Sequence, residues 1–438
     1  MSDTHAQTVA FVRDTMLDQQ DPPLNQIGAV KWIRENLFSS WLNILLTLLS
    51  LWVIYAALSH LLPWALRGIW DASNLSECRA LAAERYGADA SVACWAVLAE
   101  RWPQLVFGFF PKALYWRPIL AFLLFLAAVA PVLFSSVPRK MLWLTALAPF
   151  LLFWLIWGGS LWGPIAAVLG FVISWAIMTY AAPKIGALLS VILAIVVPVL
   201  YWLFVCGPLA DALASVVPLA LQPVATQKMG GFLLATIIGV SGIVLSLPLG
   251  ILLALGRQSD MFIINKFSVA FIEIIRGVPL IVWLFTASLL LNYFLPPGTN
   301  FDLMLRVIIM VTLFSAAYIA EVVRGGLAAL PKGQYEAADA LGLDYWKSMR
   351  LIILPQALKI SIPGIVNTFI GLFKDTTLVV FIGLLDPIGL SSSIRASTDW
   401  NGVYWELFVF IGLCFFIFCF SMGRYSLFLE KKLRREHR

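Results

Sequence analysis

The feature that most constrains this chain is a succession of apolar runs, recurring from Trp41 to Tyr425. A helix needs about 20 apolar residues to cross a hydrocarbon core, so runs of this length and number cannot all be buried inside soluble domains. A membrane β-barrel would instead alternate polar and apolar positions over segments of about ten residues, and no such pattern is present. The expected fold is therefore all-α and polytopic. Composition agrees, since 61% of the residues are hydrophobic and 12% charged, against roughly 25% charged in soluble domains. The first forty residues are more polar and include Asp14, Asp18 and Asp21. The run that follows them is too long for the apolar core of a cleaved signal and is expected to stay as an anchor.

About ten crossings are predicted. The first five are Trp41 to Leu62, Pro118 to Ser136, Met141 to Gly158, Pro164 to Ala182 and Ala187 to Cys206. The second five are Gly230 to Leu255, a helix entering near Phe267 and ending near Leu295, Leu303 to Leu327, Ile360 to Leu384, and Trp405 to Tyr425. With the N-terminus inside, about twenty Lys and Arg fall in cytoplasmic segments and about nine outside, so both termini are expected in the cytoplasm. The run Lys431-Lys432-Leu433-Arg434-Arg435 then lies against anionic headgroups. The net charge of +6 reads as topology, and nothing resembles the basic reading surface that nucleic-acid binding requires.

The chain divides into a cytoplasmic segment 1–40, an N-terminal membrane region 41–229 and a second membrane region 230–438, which holds nearly every charge at membrane depth. Between the first two crossings, residues 63–117 form an outside segment containing Cys78 and Cys94. An oxidising compartment permits a disulfide there, and two cysteines meeting in one loop by chance is the alternative. Cys206, Cys414 and Cys419 lie in or beside crossings and read as packing residues, with no metal set expected.

The most informative stretch, 328–355, follows the eighth crossing: Pro331-Lys332-Gly333-Gln334-Tyr335-Glu336-Ala337-Ala338-Asp339-Ala340-Leu341-Gly342. Pro331 and Gly333 are expected to break one helix, Glu336 to Leu341 to form a short new one, and Gly342 to cap it. A second element, Trp346 to Leu354, is expected to end at Pro355. Such a pair outside the bilayer is a docking knob. Small Ala337, Ala338 and Ala340 let a partner's groove close on it, and Glu336 supplies a charge-assisted contact.

The series Glu336-Ala337-Ala338, three residues, Gly342, then Ile352-Ile353-Leu354-Pro355 resembles the coupling loop of ABC-importer permeases. The stretches Gly230-Gly231-Phe232, Phe271 to Leu280, Tyr318-Ile319-Ala320-Glu321 and Lys374 to Leu378 are similar to polar amino-acid permeases of the histidine and glutamine type. The long form resembles permeases of the general L-amino-acid or glutamate/glutamine/aspartate/asparagine importers of proteobacteria. The resemblance implies a type-I permease core in the C-terminal half, in a bacterial inner membrane, working by alternating access. It also implies a pair of ATP-binding subunits, a second related permease and a periplasmic amino-acid-binding protein. ATP and Mg would sit on the partner ATPase, and this chain would carry no cofactor and no catalytic residue. No Lys follows a Gly anywhere in the chain, so the phosphate cradle of a P-loop is missing and energy must come from another chain.

A charge at the centre of a membrane helix costs at least about 2.5 to 3.5 kcal/mol and calls for a reason. Counting from Ile360 puts Lys374-Asp375 roughly 20 Å into a 30 Å core, with Thr376 and Thr377 beside them. One acid and one base would answer the ammonium and carboxylate of an amino acid, making these four the expected substrate pathway; an interhelical salt bridge is the bland alternative. Glu321 with Arg324, and Glu273 with Arg276, have the i, i+3 spacing of structural bridges and could form an inner gate. Gly277-Val278-Pro279 suggests a kink just beyond. A proton-coupled amino-acid carrier is the competing reading, through the same Lys374 and Asp375, and a structural membrane protein is the third.

Overall fold

The computed structural model describes residues 28–134, 136–290 and 302–435. They form helices α1 (Gly28–Asn36), α2 (Trp41–Leu66), α3 (Leu75–Tyr86), α4 (Ala96–Phe107), α5 (Trp116–Leu133), α6 (Leu142–Trp157), α7 (Trp162–Ala176), α8 (Ala187–Leu200), α9 (Cys206–Val216), α10 (Gly231–Arg257), α11 (Phe262–Gly277) and α12 (Leu280–Phe285). After these come α13 (Leu303–Ala328), α14 (Lys332–Ala340), α15 (Tyr345–Ser348), α16 (Leu354–Asp375), α17 (Pro387–Arg395) and α18 (Trp405–Arg435). Among the described residues, nine helices are long and apolar enough to cross a membrane, or ten if the bent pair α11 and α12 is one span.

Two compact units result, one of residues up to Ile69 with Ala82–Ala93, the other of Trp70–Leu81 with Cys94–Arg438. In the first, Ser40 caps α2 by accepting from the Asn43 amide at 3.2 Å, and the Ile69 amide donates to the Ala93 carbonyl at 2.8 Å. The boundary expected at residue 230 does not coincide with these units. Phe107, Phe110, Leu155 and Ile156 share one core cluster with Leu234, Ile238, Leu284, Val311 and Leu372, so helices from both sides of that boundary bury the same apolar surface.

Three expectations about the elements need correction. Residues 63–117 are largely helical, and α4 buries Ala96, Val97, Leu98, Leu105 and Phe107. Its pattern reads as a loop because Glu100, Arg101 and Pro103 interrupt it. The charges find partners in the fold, Arg101 pairing with Glu100 at 3.2 Å and Asp399 at 3.4 Å while Glu100 accepts from the Trp400 indole at 2.8 Å. The seventh crossing, by contrast, kinks where expected and is divided into two helices. It breaks at Val278-Pro279 with a bend of 101°, because Pro279 has no amide to continue the ladder; its far end near Leu295, with Asn292, lies outside the described residues. Pro355, finally, breaks nothing. A π turn over Met349–Ile353 joins α15 to α16, with the Leu354 amide reaching the Met349 carbonyl. Pro355 sits in the first turn of α16, where a missing amide costs little. The ninth span thus runs from Tyr345 to Ile382, and Gly333 lies within α14 rather than breaking a helix.

Two packing devices hold the second unit together. Gly242, Ser246, Gly250 and Ala254 recur every four residues on α10 and are all buried, so one stripe of small side chains lets backbones approach closely. A Cβ on Gly250 would meet Ile319 at 2.6 Å, and one on Gly364 would meet Val322 at 2.6 Å; α10, α13 and α16 therefore form a tight stack. The second device is Arg117, fully buried. It donates to the carbonyls of Leu155 at 2.6 Å, Gln222 at 2.6 Å and Ile156 at 3.2 Å, capping the end of α6 and holding the segment that follows a short antiparallel pair, Gly159–Ser160 with Ala220–Leu221. Arg117→Met would strand these carbonyls at about 1–3 kcal/mol each. The expected result is a lower thermal midpoint of the detergent-solubilised protein by fluorescence-detected size exclusion, and an unchanged midpoint would contradict the role.

Candidate functional site

The element after α13 is built to be stiff and to present one face. Asp339 and Ala338 carbonyls accept from the Gly342 amide at 2.9 Å and the Leu343 amide at 3.2 Å, the bond pair of a Schellman cap. Gly342 takes φ +68, as that cap requires. Asp344 then starts the next turn, accepting from the Lys347 amide at 3.0 Å. Inward, Ala338 is fully buried, and Tyr335 on the same helix packs against a second core cluster that includes Leu327, Leu330, Met349 and Ile353. The Gln356 amide donates to the Gln334 side-chain oxygen at 3.0 Å. Outward, Glu336, Ala337 and Ala340 are exposed, with Leu341 72% and Trp346 66% exposed beside them.

One sequence expectation changes here. Ala338 does not face a partner, because it is the fully buried residue of α14, on the side turned to the chain's own body. Leu341 and Trp346 were not singled out as contact residues, although exposed large apolar side chains flanking a charged helix are the signal that could have marked them.

The charged residues predicted as two i, i+3 pairs form one network instead. Glu321 contacts Arg324 at 3.0 Å as expected. Glu273 and Arg276 do not pair with each other: Glu273 contacts Arg257 at 2.9 Å, and Arg276 reaches Glu321 at 3.7 Å while stacking over the Tyr318 ring at 5.3 Å. Arg257 also contacts Glu321 at 2.6 Å. The network therefore joins α10, α11 and α13 around Glu321, which is 18% exposed. Arg257 was missed because it stands at the end of a long apolar helix, far in sequence from its partners.

Lys374 and Asp375 end α16, and Thr376 and Thr377 begin the 3-10 turn that follows. Because α16 starts earlier than expected, Lys374 lies about 30 Å along it, at its far end rather than mid-depth. Neither charge forms an ion pair among the described residues, so the interhelical bridge within the chain is absent there. Thr376 and Thr377 turn their hydroxyls to the carbonyls of Phe373 at 2.7 Å and Lys374 at 2.9 Å. Lys359, Ile360, Pro363, Asn367 and Lys374 are all exposed, whereas Ala357, Ser361, Ile365, Leu372 and Phe373 are buried. With Pro355, also exposed, the set fills one arc of roughly 140° at about 100° per residue. Lys359, Asn367 and Lys374 thus put three polar side chains on one exposed face, beside Ile360 and two prolines.

Cys78 and Cys94 are joined as a disulfide, with Cα atoms 6.2 Å apart; the Cys94 amide donates to the Glu406 carboxylate at 2.8 Å. Cys206, Cys414 and Cys419 are free. Among the described residues no group of three His, Cys, Asp or Glu could hold a metal.

Residues 246–435 match the family model of the binding-protein-dependent transport system inner membrane component. The chain is 58% identical to the glutamate/glutamine/aspartate/asparagine transport system permease protein BztC of Rhodobacter capsulatus, covering 100% of both chains. It is 40% identical to the inner membrane amino-acid ABC transporter permease protein YhdY of Escherichia coli, over 93% of this chain and 94% of that one. A solved structure, the crystal structure of an amino acid ABC transporter with histidines, is 28% identical over 45% of this chain and 90% of that chain, with a TM-score of 0.41.

Proposed function

The chain belongs to the permease subunits of amino-acid ABC transporters, and from that premise we propose that it carries acidic amino acids and their amides inward, driven through α14 by a separate ATPase. It is a polytopic transport subunit, with no enzymatic activity of its own, and is not a proton-coupled carrier. ATP-binding subunits and a substrate-binding protein act with it.

Beyond that, ATP and Mg are assigned to a pair of identical ATPase subunits, and a second, related permease completes the membrane body. The permease domain is 230–438 with its coupling segment at 328–355, and 41–229 is an added membrane region. The termini are assigned to the cytoplasm on the Lys and Arg distribution, which puts α14 on the ATPase side and the disulfide-bonded segment in the periplasm of a bacterial inner-membrane protein.

The observation that carries the driven-permease reading is the construction of α14: Ala338 anchors it to the chain, while Glu336, Ala337 and Ala340 stand outward. A helix fixed on one side and bare on the other passes on displacement as a lever does. The exposed face of α16 supports the pathway, since a charge and an amide bare on a helix long and apolar enough to span are costly in lipid and favourable against a second permease or a wet cavity. The network of Glu273, Arg276, Glu321 and Arg324, joined through Arg257, is assigned as the inner gate of that pathway.

The substrate class rests on likeness to BztC and on one chemical argument. Glutamate, glutamine, aspartate and asparagine share an α-ammonium and α-carboxylate but differ in side-chain charge, so a site taking all four recognises the shared groups, which Asp375 and Lys374 complement. In proteoliposomes holding the complete transporter and binding protein, unlabelled glutamine, aspartate and asparagine should each compete with labelled L-glutamate for ATP-driven uptake. Competition only by basic or branched amino acids would overturn the assignment.

A further inference from the structure

We propose that Arg257 is the positioning residue through which displacement of the docking helix reaches the broken span, α11 with α12. This rests on the reading of α14 as the ATPase contact and adds the route the movement takes.

The lever is short. Only residues 329–331 separate α13 from α14, and Leu330 within them is buried. Glu321 stands seven residues before the end of α13, about 10 Å along the helix. Of its three cationic contacts, Arg324 lies on the same helix and can pass nothing on. Arg276, on α11, is distant at 3.7 Å and is held over Tyr318. Arg257 differs, because a single guanidinium nitrogen lies 2.6 Å from Glu321 on α13 and 2.9 Å from Glu273 on α11. The backbone at Arg257 is itself fixed to α11, its carbonyl accepting from the Asn265 side chain at 2.5 Å.

Two carboxylates on neighbouring helices are thus clasped by one cation. Removing it breaks the tether and leaves Glu273 and Glu321 to repel each other, so α11 follows α13 less closely through the Arg276 contact alone among the ion pairs. Past Gly277 the chain turns by 101° into α12, and the position of α11 sets where that turn lies.

The test uses the assembled permease, ATPase and binding protein in proteoliposomes, with labelled L-glutamate as probe. In Arg257→Gln the ATPase should co-purify as before and hydrolyse ATP within about twofold of the unmodified rate, while uptake per ATP falls at least about tenfold. Arg257→Lys, whose point charge serves two carboxylates less well than a planar guanidinium, should fall between. Glu273→Gln should uncouple in the same direction, although a half-exposed ion pair in a merely structural role is worth about 0–1 kcal/mol and would leave the ratio unmoved. If Arg257→Gln fails to assemble, Glu273→Gln decides alone. An unchanged ratio in Glu273→Gln, or uptake and hydrolysis falling together in it, overturns the inference. Failure of the docking reading shows differently, as normal coupling in Gly342→Asp, and would remove the inference with it.

Discussion

Gly342→Asp and Glu336→Lys are each expected to reduce ATP-driven uptake by about 100-fold, equivalent to ~2.7 kcal/mol of lost coupling or association, while the permease itself stays folded. Within the chain, a Cβ at Gly342 would meet nothing within 4 Å. The local cost of a side chain there is the left-handed backbone alone, about 1–2 kcal/mol and less for Asp than for most residues. A larger functional loss must come from what lies outside the chain. The first substitution would add an anion beside Asp339 and Asp344 at the cap, and the second would invert the exposed charge assigned to a basic group of the partner. Truncating or reversing a desolvated interfacial charge costs about 2–5 kcal/mol. Co-purification of the ATPase, thermal midpoint and uptake should therefore separate: the first and third fall and the second holds. If both variants retain the ATPase and transport normally, α14 is not the contact.

Lys374→Met should lower uptake of glutamate, glutamine, aspartate and asparagine by a similar factor. A charge-assisted hydrogen bond is worth about 1.5–3 kcal/mol, so the expected loss is about 10- to 150-fold in apparent affinity. Equality across the four is the informative part. If Lys374 recognised the side-chain carboxylate, the two amides would be spared. Because Lys374 is exposed and has no ion pair among the described residues, the substitution removes a desolvation cost and breaks no internal bridge, so protein yield should hold. Uptake spared for all four would take Lys374 off the pathway.

The crossings were largely legible because a length of about 20 apolar residues follows from bilayer thickness alone. The docking segment was legible for a similar reason, since Gly342 and the residues before it define a local cap that needs no tertiary information. What escaped depends on tertiary neighbours. Glu273 and Arg276 have the spacing of a pair, yet Arg257 from another helix offers Glu273 a contact at 2.9 Å. Ala338 looked like one of three equivalent alanines until its burial showed that it is the one turned inward. Pro355 carries the signature of a helix break, and a π turn, invisible to residue propensity, absorbs it. In α4 the charges that read as a loop are partnered by Asp399 and Trp400, some three hundred residues away. The kink at Gly277-Val278-Pro279 could be foreseen, whereas its size could not.

The most direct measurement is site-specific photo-crosslinking from a benzoylphenylalanine at position 337, in membranes expressing the complete transporter. The account predicts a crosslink to the ATPase whose yield differs between ATP- and ADP-loaded states, and none to the ATPase from a control at position 76 on α3. A crosslink absent at 337 in both nucleotide states, from a complex that still transports, would contradict it.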